Sequence, residues 1–234
     1  MATVMMITAC SFQKKVAINS PDGMISFEIV PASNGSEYSI AQFSLTSGSK
    51  KVLLPSSLYL NMKAINVKNK FKIISTENET ITKKWINTFG EKKDVPDNYN
   101  QVKIFLESAD LNINLVCRVY NEGVAFAYEF PEQGRRDSVT IKDEKILFRF
   151  PADYIAWSAS RAQSSYTRVT LSTIEKGCER PLVIEYDRTL TIALTEAKLV
   201  DYTRLKFEPD SSGGVLRKSS LKVEFRTSIH FHSP

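Results

Sequence analysis

Glu196 follows a run of alternating residues, and its type and position together raise a question of chemistry. In the stretch TLTIALTEAKLVDY, Leu190, Ile192 and Leu194 sit two apart, with Thr191, Ala193 and Thr195 between them. Successive side chains of a strand point to opposite faces, so this is a half-buried strand with Glu196 next in the apolar register. An unpaired buried carboxylate is costly, so a strand that runs on must bring Glu196 to a cation, to donors or to an open end. If the strand stops at Leu194, Glu196 sits on a solvated bend. The register alone leaves both readings open.

Other chemistry-bearing residues are sparse. The two histidines, His230 and His232, lie two apart near the end of the chain. They either share a metal or form the polar face of an ordinary strand. A Ser-His-Asp or Cys-His triad has almost nowhere else to form. The three cysteines are Cys10, Cys117 and Cys178. They make no CxxC and no Cys/His cluster, which argues against zinc. Cys117 shares a face with Leu111, Ile113, Leu115 and Val119, so it reads as an inert core thiol. No Walker loop and no GxGxxG is present.

The elements that must position these groups are strands. MISFEIV alternates after the turn SPDG (Ser20 to Gly23), whose Pro, Asp and Gly suit a tight reversal. YSIAQFSL, NKFKIIST, QVKIFLES, LNINLVCRVY, VAFAYEF, TIKDEKILFRF and LKVEFRTSIHFH follow in order. PLVIEY and TLTIAL read as a hairpin with Asp187-Arg188 at its tip. The faces Leu111/Ile113/Leu115/Cys117, Val124/Phe126/Tyr128 and Leu190/Ile192/Leu194 are expected to be buried. No segment carries a 3.6-residue stripe over ten residues. Many short strands with Gly, Pro, Asn and Asp turns predict an all-β antiparallel sandwich. Trp85 to Gln101 is polar and aperiodic, and reads as a long loop.

Composition excludes some partners. The 234 residues carry a net charge of +5, with 42% apolar and 24% charged residues. The lysines and arginines are scattered and form no basic stripe interleaved with aromatics, so no nucleic-acid partner is expected. No stretch nears the ~20 apolar residues of a spanning helix. The first residues end in Ile7-Thr8-Ala9-Cys10, similar to a bacterial lipobox. Residues 1–19 therefore read as a shortened lipoprotein signal and linker, with Cys10 the lipidation candidate. That predicts an exported bacterial protein, periplasmic or in the outer membrane, touching membrane only through a lipid anchor.

The landmarks NYNQ (Asn98 to Gln101), RVYNEGVAFAYEFP (Arg118 to Pro131), Ala156-Trp157 and ALTEAKLVDY fall in a familiar order. Over about Ser20 to Pro234 the chain resembles the N-terminal domain of glycoside hydrolase family 97, a group of bacterial α-glucosidases and α-galactosidases. The resemblance implies one domain over 20–234, a large β-sandwich like galactose mutarotase. It implies packing on a catalytic (β/α)₈ barrel and work on α-linked oligosaccharides. It also implies that the glutamate of the family's TEA motif, Glu196 by position, ligates calcium. Ala127 stands where the family has arginine before Tyr128. SASRAQSSY (Ser158 to Tyr166) lacks the family's acidic residue, and Arg188 replaces a usual glycine. Glu196 alone is carried over.

A glycosidase needs two carboxylates flanking the scissile bond, and in this family both come from the barrel. A (β/α)₈ barrel takes about 250 residues of alternating strands and helices, and nothing here alternates so. The chain therefore reads as an N-terminal piece without catalytic residues, contributing one calcium ligand to an exo-acting α-glycosidase. Near Glu196 the only other acid before Glu208 is Asp201, which an extended run turns to the opposite side. Calcium wants six to eight oxygens, so binding is expected only with the barrel present, and Glu196 is expected to be hydrated meanwhile. The alternative is a free-standing carbohydrate-binding lipoprotein. Its stacking surface would be Trp85, on the long polar segment, while Trp157 reads as a cap on the core. An epimerase is disfavoured, because its histidine acid has only His230 and His232 to draw on.

Overall fold

The computed structural model describes residues 15–32, 38–63, 71–132, 138–200, 202–210, 215–219 and 223–226. In chain order the strands are β1 (Val16–Asn19), β2 (Ile25–Pro31), β3 (Ser39–Ser47), β4 (Lys50–Met62), β5 (Lys72–Ile86), β6 (Asp94–Glu107), β7 (Asn112–Val119) and β8 (Val124–Glu129). They continue as β9 (Ser138–Arg149), β10 (Ile155–Ser158), β11 (Thr167–Thr170), β12 (Leu182–Glu185), β13 (Thr191–Leu194), β14 (Phe207–Pro209), β15 (Val215–Ser219) and β16 (Val223–Arg226). A 3₁₀ turn at Leu171–Thr173 is the one helical element among the described residues. Cys10, Asp201, His230 and His232 lie outside them.

Among the described residues the strands form three antiparallel sheets. The largest runs β1-β2-β3-β4-β9-β15-β14, with β16 also paired to β9. The second runs β5-β6-β7-β8 and the third β11-β10-β12-β13. Sequence alternation explains the packing. In β2, Ile25, Phe27 and Ile29 are buried while Ser26, Glu28 and Val30 between them are only partly covered. Phe43 of β3 touches Phe27 at a centroid distance of 5.7 Å, Phe126 of β8 at 5.8 Å and Phe148 of β9 at 6.0 Å. One aromatic cluster thus joins the first and second sheets face to face, as in a β-sandwich. Ala156, Leu182 and Ile184 bring the inner face of the third sheet into the same core.

The expected faces are present with a gradation. Leu111, Ile113, Leu115 and Cys117 are fully buried. Val124, Phe126, Tyr128, Leu190, Ile192 and Leu194 pack on the core but stay partly exposed. The reason is position: β8 and β13 are edge strands of their sheets, covered from one side less than β7 is. SPDG folds as the expected turn. The Ser20 hydroxyl and the Met24 N–H both donate to Asp22 Oδ1, and Gly23 adopts φ +74°, where glycine alone is unstrained.

One expectation needs correction, and one strand was not foreseen. The segment Trp85 to Gln101 is not one long loop: β5 and β6 pair from Lys72↔Glu107 to Ile86↔Asp94, with one register shift between Ile73 and Ser75, and only residues 87–93 at the tip lie outside the strands. The β6–β7 ladder stops at Asn100↔Val119, so the rungs from Thr82↔Asn98 to Ile86↔Asp94 project as a two-stranded arm of about 17 Å. Both its faces meet solvent, so no apolar alternation marked it. Its root is fixed by Tyr99, whose ring lies 4.9 Å from that of Tyr120 and 4.7 Å from the Arg118 guanidinium. The strand β4 went unread because Pro55 and two serines interrupt its pattern. The register against β9 shifts there, between Leu54↔Arg149 and Ser57↔Leu147. The Ser56 hydroxyl accepts the Arg149 N–H at 3.0 Å, filling the place of a ladder bond at the bulge.

Candidate functional site: an ionic cluster at Glu196 and two exposed tryptophans

β13 ends at Leu194, yet the alternation runs on: Thr195 is exposed and the Glu196 side chain is only 8% exposed. The carboxylate is therefore neither on a solvated bend nor hydrated, as an open strand end would leave it. Oε2 accepts Arg180 Nε–H at 2.6 Å, and Oε1 accepts the backbone N–H of buried Leu205. Glu196 stays in register because it meets one cation and one donor, the condition for burying a carboxylate.

A second carboxylate shares the cation. Glu179, with a side chain 6% exposed, has Oε2 at 3.6 Å from Arg180 and Oε1 bonded by Lys206 at 2.7 Å and Arg204 at 3.0 Å. The backbone sets this up. Cys178 and Phe207 exchange N–H···O bonds of 2.9 Å, which lays the 178–180 segment beside 204–207. Alternation then turns Arg204 and Lys206 towards Glu179, with Leu205 donating the other way to Glu196. The Lys206 ammonium holds the Glu179 carboxyl below its ordinary range, with Arg204 and Arg180 adding to it against the opposing effect of burial. Such a group does not donate a proton near neutral pH, which excludes Glu179 as a glycosidase acid. With two carboxylates facing three cations, the cluster is a structural ionic lock.

The fit to calcium follows from that donor set. Among the described residues no three His, Cys, Asp or Glu side chains converge. The one carboxylate named by sequence already has a donor on each oxygen, and one donor is a guanidinium. This chain's described residues do not make a calcium cage, so any such ion would need ligands from elsewhere.

The tryptophans separate clearly. Trp85 is 52% exposed near the end of the arm, with Ile86 at 66% and Phe89 at 86% beside it. It is a ring open to a ligand, as expected, though on a strand. Trp157 does not cap the core. It sits on β10 with its side chain outward and 40% exposed, while its neighbours Ala156 and Ser158 face in. Its indole Nε1–H donates to Glu185 Oε1 at 2.8 Å. Arg168 clamps the same carboxylate through Nε at 2.9 Å and a terminal nitrogen at 2.7 Å. That guanidinium holds the Glu185 carboxyl below its usual range. Sequence reasoning missed Arg180, Glu179, Arg204, Lys206, Arg168 and Glu185. Only the two-residue spacing of Arg204 and Lys206 was a signal: two cations on one face need an anion.

The family model described as glycosyl-hydrolase 97 N-terminal matches residues 18–233. A glycoside hydrolase family 97 enzyme from Pseudoalteromonas sp. strain K8, solved in complex with acarbose, superposes with a TM-score of 0.76 at 21% identity, over 90% of this chain and 34% of that one. A variant of that enzyme was solved with panose, with the same extent of match. A beta-arabinopyranosidase structure matches with a TM-score of 0.77 at 18% identity, over 90% of this chain and 38% of its own. The chain thus spans about a third of the length of the solved enzymes it resembles.

Proposed function

The chain belongs to glycoside hydrolase family 97, as its N-terminal domain, and from that premise we propose that it is the active-site-supporting part of an exo-acting α-glycosidase. In this reading it packs on a catalytic (β/α)₈ barrel that supplies the acid and the base or nucleophile. Glu196 contributes one carboxylate to a calcium shell whose remaining ligands lie outside the described residues. The substrate is an α-linked oligosaccharide. The observation that supports this most is the placement of Glu196: a carboxylate aimed and held beyond a strand end, with its geometry fixed by Leu205 N–H and Arg180 Nε–H. A ligand oriented before the metal arrives loses little freedom on binding it. Calcium would compete with Arg180 for Glu196 Oε2 and with the Leu205 N–H for Oε1.

The test is a chimera in which this chain replaces the matching N-terminal part of the Pseudoalteromonas enzyme. Release of glucose or galactose from aryl α-glycosides and calcium affinity are measured with and without Glu196→Gln. The expected result is calcium-dependent turnover, with both quantities weakened together by the substitution. A folded, active chimera in which Glu196→Gln changes neither would refute the role given to Glu196. The second reading, a free-standing carbohydrate-binding lipoprotein anchored at Cys10, draws on the exposed Trp85 of the arm. Lipid labelling in a bacterial host, lost on Cys10→Ser, tests its anchor.

A further inference from the structure

The third sheet has a second face that its part in the core does not use. Ala156, Ser158, Leu182 and Ile184 are buried on the inner side. On the outer side, the cross-strand register sets Arg168, Trp157, Val183 and Ala193 in one row. Thr170, Ile155, Glu185 and Thr191 form the next row. Trp157 is the one large ring on these rows. Ala193 on the edge strand is small and exposed, Val183 and Ile155 beside the ring are partly buried, and the remaining groups are hydroxyls and one paired Arg/Glu.

The ring is also locked. Its only donor is satisfied by Glu185, and Glu185 is held by both prongs of Arg168. What Trp157 offers is therefore its face, in one orientation, on a strand and not on a loop. Side chains fixed in this way lose little entropy when a ligand arrives. The chemistry around the ring selects the ligand. A protein partner would need a wider apolar patch and would bury the Arg168–Glu185 pair at a desolvation cost. A phosphate would find the Arg168 charge already neutralised. A neutral sugar ring offers apolar C–H bonds for the indole and hydroxyls for the flanking polar groups.

We propose that the outer face of the β10–β13 sheet is a carbohydrate-binding platform, on which Trp157 stacks against a neutral pyranose and the Arg168–Glu185 pair hydrogen-bonds its hydroxyls. The proposal is independent of calcium and of Glu196. It is tested on the whole 234-residue chain in the presence of a chelator, so that its failure and that of the calcium reading are separable. The protein has two tryptophans, so Trp85→Phe makes Trp157 the only indole. Titration of that variant with panose should give a saturable change in tryptophan fluorescence. By calorimetry, Trp157→Ala should weaken panose binding about tenfold or more, the equivalent of one aromatic contact. Ala193→Arg, an exposed substitution that leaves the core untouched, should also weaken it and serves if Trp157→Ala does not fold. Arg168→Ala should weaken it less, by releasing the ring. The absence of saturable binding to the solubility limit would overturn the proposal. So would panose binding that survives Trp157→Ala and Ala193→Arg, or that vanishes with Trp85→Phe alone, which would assign the sugar to the arm.

Discussion

Replacing Glu196 by glutamine separates a buried ionic contact from a solvated one. The substitution keeps an acceptor for Leu205 N–H but removes the charge facing Arg180 Nε at 2.6 Å. A hydrogen bond to a charged group contributes about 1.5–3 kcal/mol, and stripping one partner from a fully buried pair costs about 3–5 kcal/mol. Arg180 is 22% exposed and keeps Glu179 at 3.6 Å, so the lower end applies: about 1–2 kcal/mol for Glu196→Gln. Glu196→Ala also leaves the buried Leu205 N–H unsatisfied, which raises the loss to about 3–4 kcal/mol. For a chain of this size, the glutamine variant should melt about 2–8 °C lower. Urea unfolding followed by circular dichroism gives the free energies, with an unchanged m-value confirming the same native and unfolded states. A double-mutant cycle with Arg180→Gln should return a coupling of about 1 kcal/mol. A Glu196→Gln change within the roughly ±0.5 kcal/mol of benign surface substitutions, or no coupling to Arg180, would refute the buried pair.

The other predictions are briefer. Glu179 has a folded-state pKa below its ordinary 4.5, so its contribution is complete above about that value and is lost as pH falls through the folded-state value. Thermal scans from pH 6 to pH 2 should therefore show a steeper acid decline for the parent than for Glu179→Gln, and parallel curves would count against the lock. Cys117 is fully buried and its thiol is pushed far above the usual range by burial. Peptide mapping after treatment with an aromatic disulfide should find it unlabelled until urea unfolds the chain, and labelling of the native protein would contradict the core assignment. Trp85→Ser on the arm should change stability by no more than about 0.5 kcal/mol in urea, whereas a loss of several kcal/mol would mean that the arm packs on the domain. The chain alone should release no glucose or galactose from aryl α-glycosides. Turnover that survives repurification and is lost on mutating a carboxylate of this chain would overturn the support role.

Strands whose two faces meet different surroundings were legible. Ile113, Leu115 and Cys117 announced β7, and Asp187-Arg188 marked the turn between β12 and β13, where Asp187 Oδ1 accepts the Thr189 and Leu190 N–H groups. The arm was illegible because solvent on both faces removes alternation. β4 was illegible because Pro55 and its bulge shift the register midway. In the candidate sites, sequence located residues but not partners. Alternation pointed Glu196 inward, while Arg180 reaches it across a fold that brings 180, 196 and 205 together. Trp157 was misjudged because its neighbours Ala156 and Ser158 carry the burial. The bond to Glu185, 28 positions away, depends on a strand pairing that no local pattern shows.

The ionic lock also limits how far the domain can be shortened. Glu179 is charged, buried and neutralised mainly by Arg204 and Lys206, both well downstream of the third sheet. A version trimmed between Glu196 and Arg204 keeps every strand of that sheet, though it loses β14, β15 and β16 of the largest one. It also loses the two cations and the Leu205 N–H, leaving two carboxylates to share Arg180. Such a version carries a buried anion short of counter-charge, and it should be recovered as insoluble protein or soften first around Cys178. The downstream limit of the domain is thus set by charge balance at Arg204 and Lys206 as well as by the pairing of β14, β15 and β16 into the largest sheet.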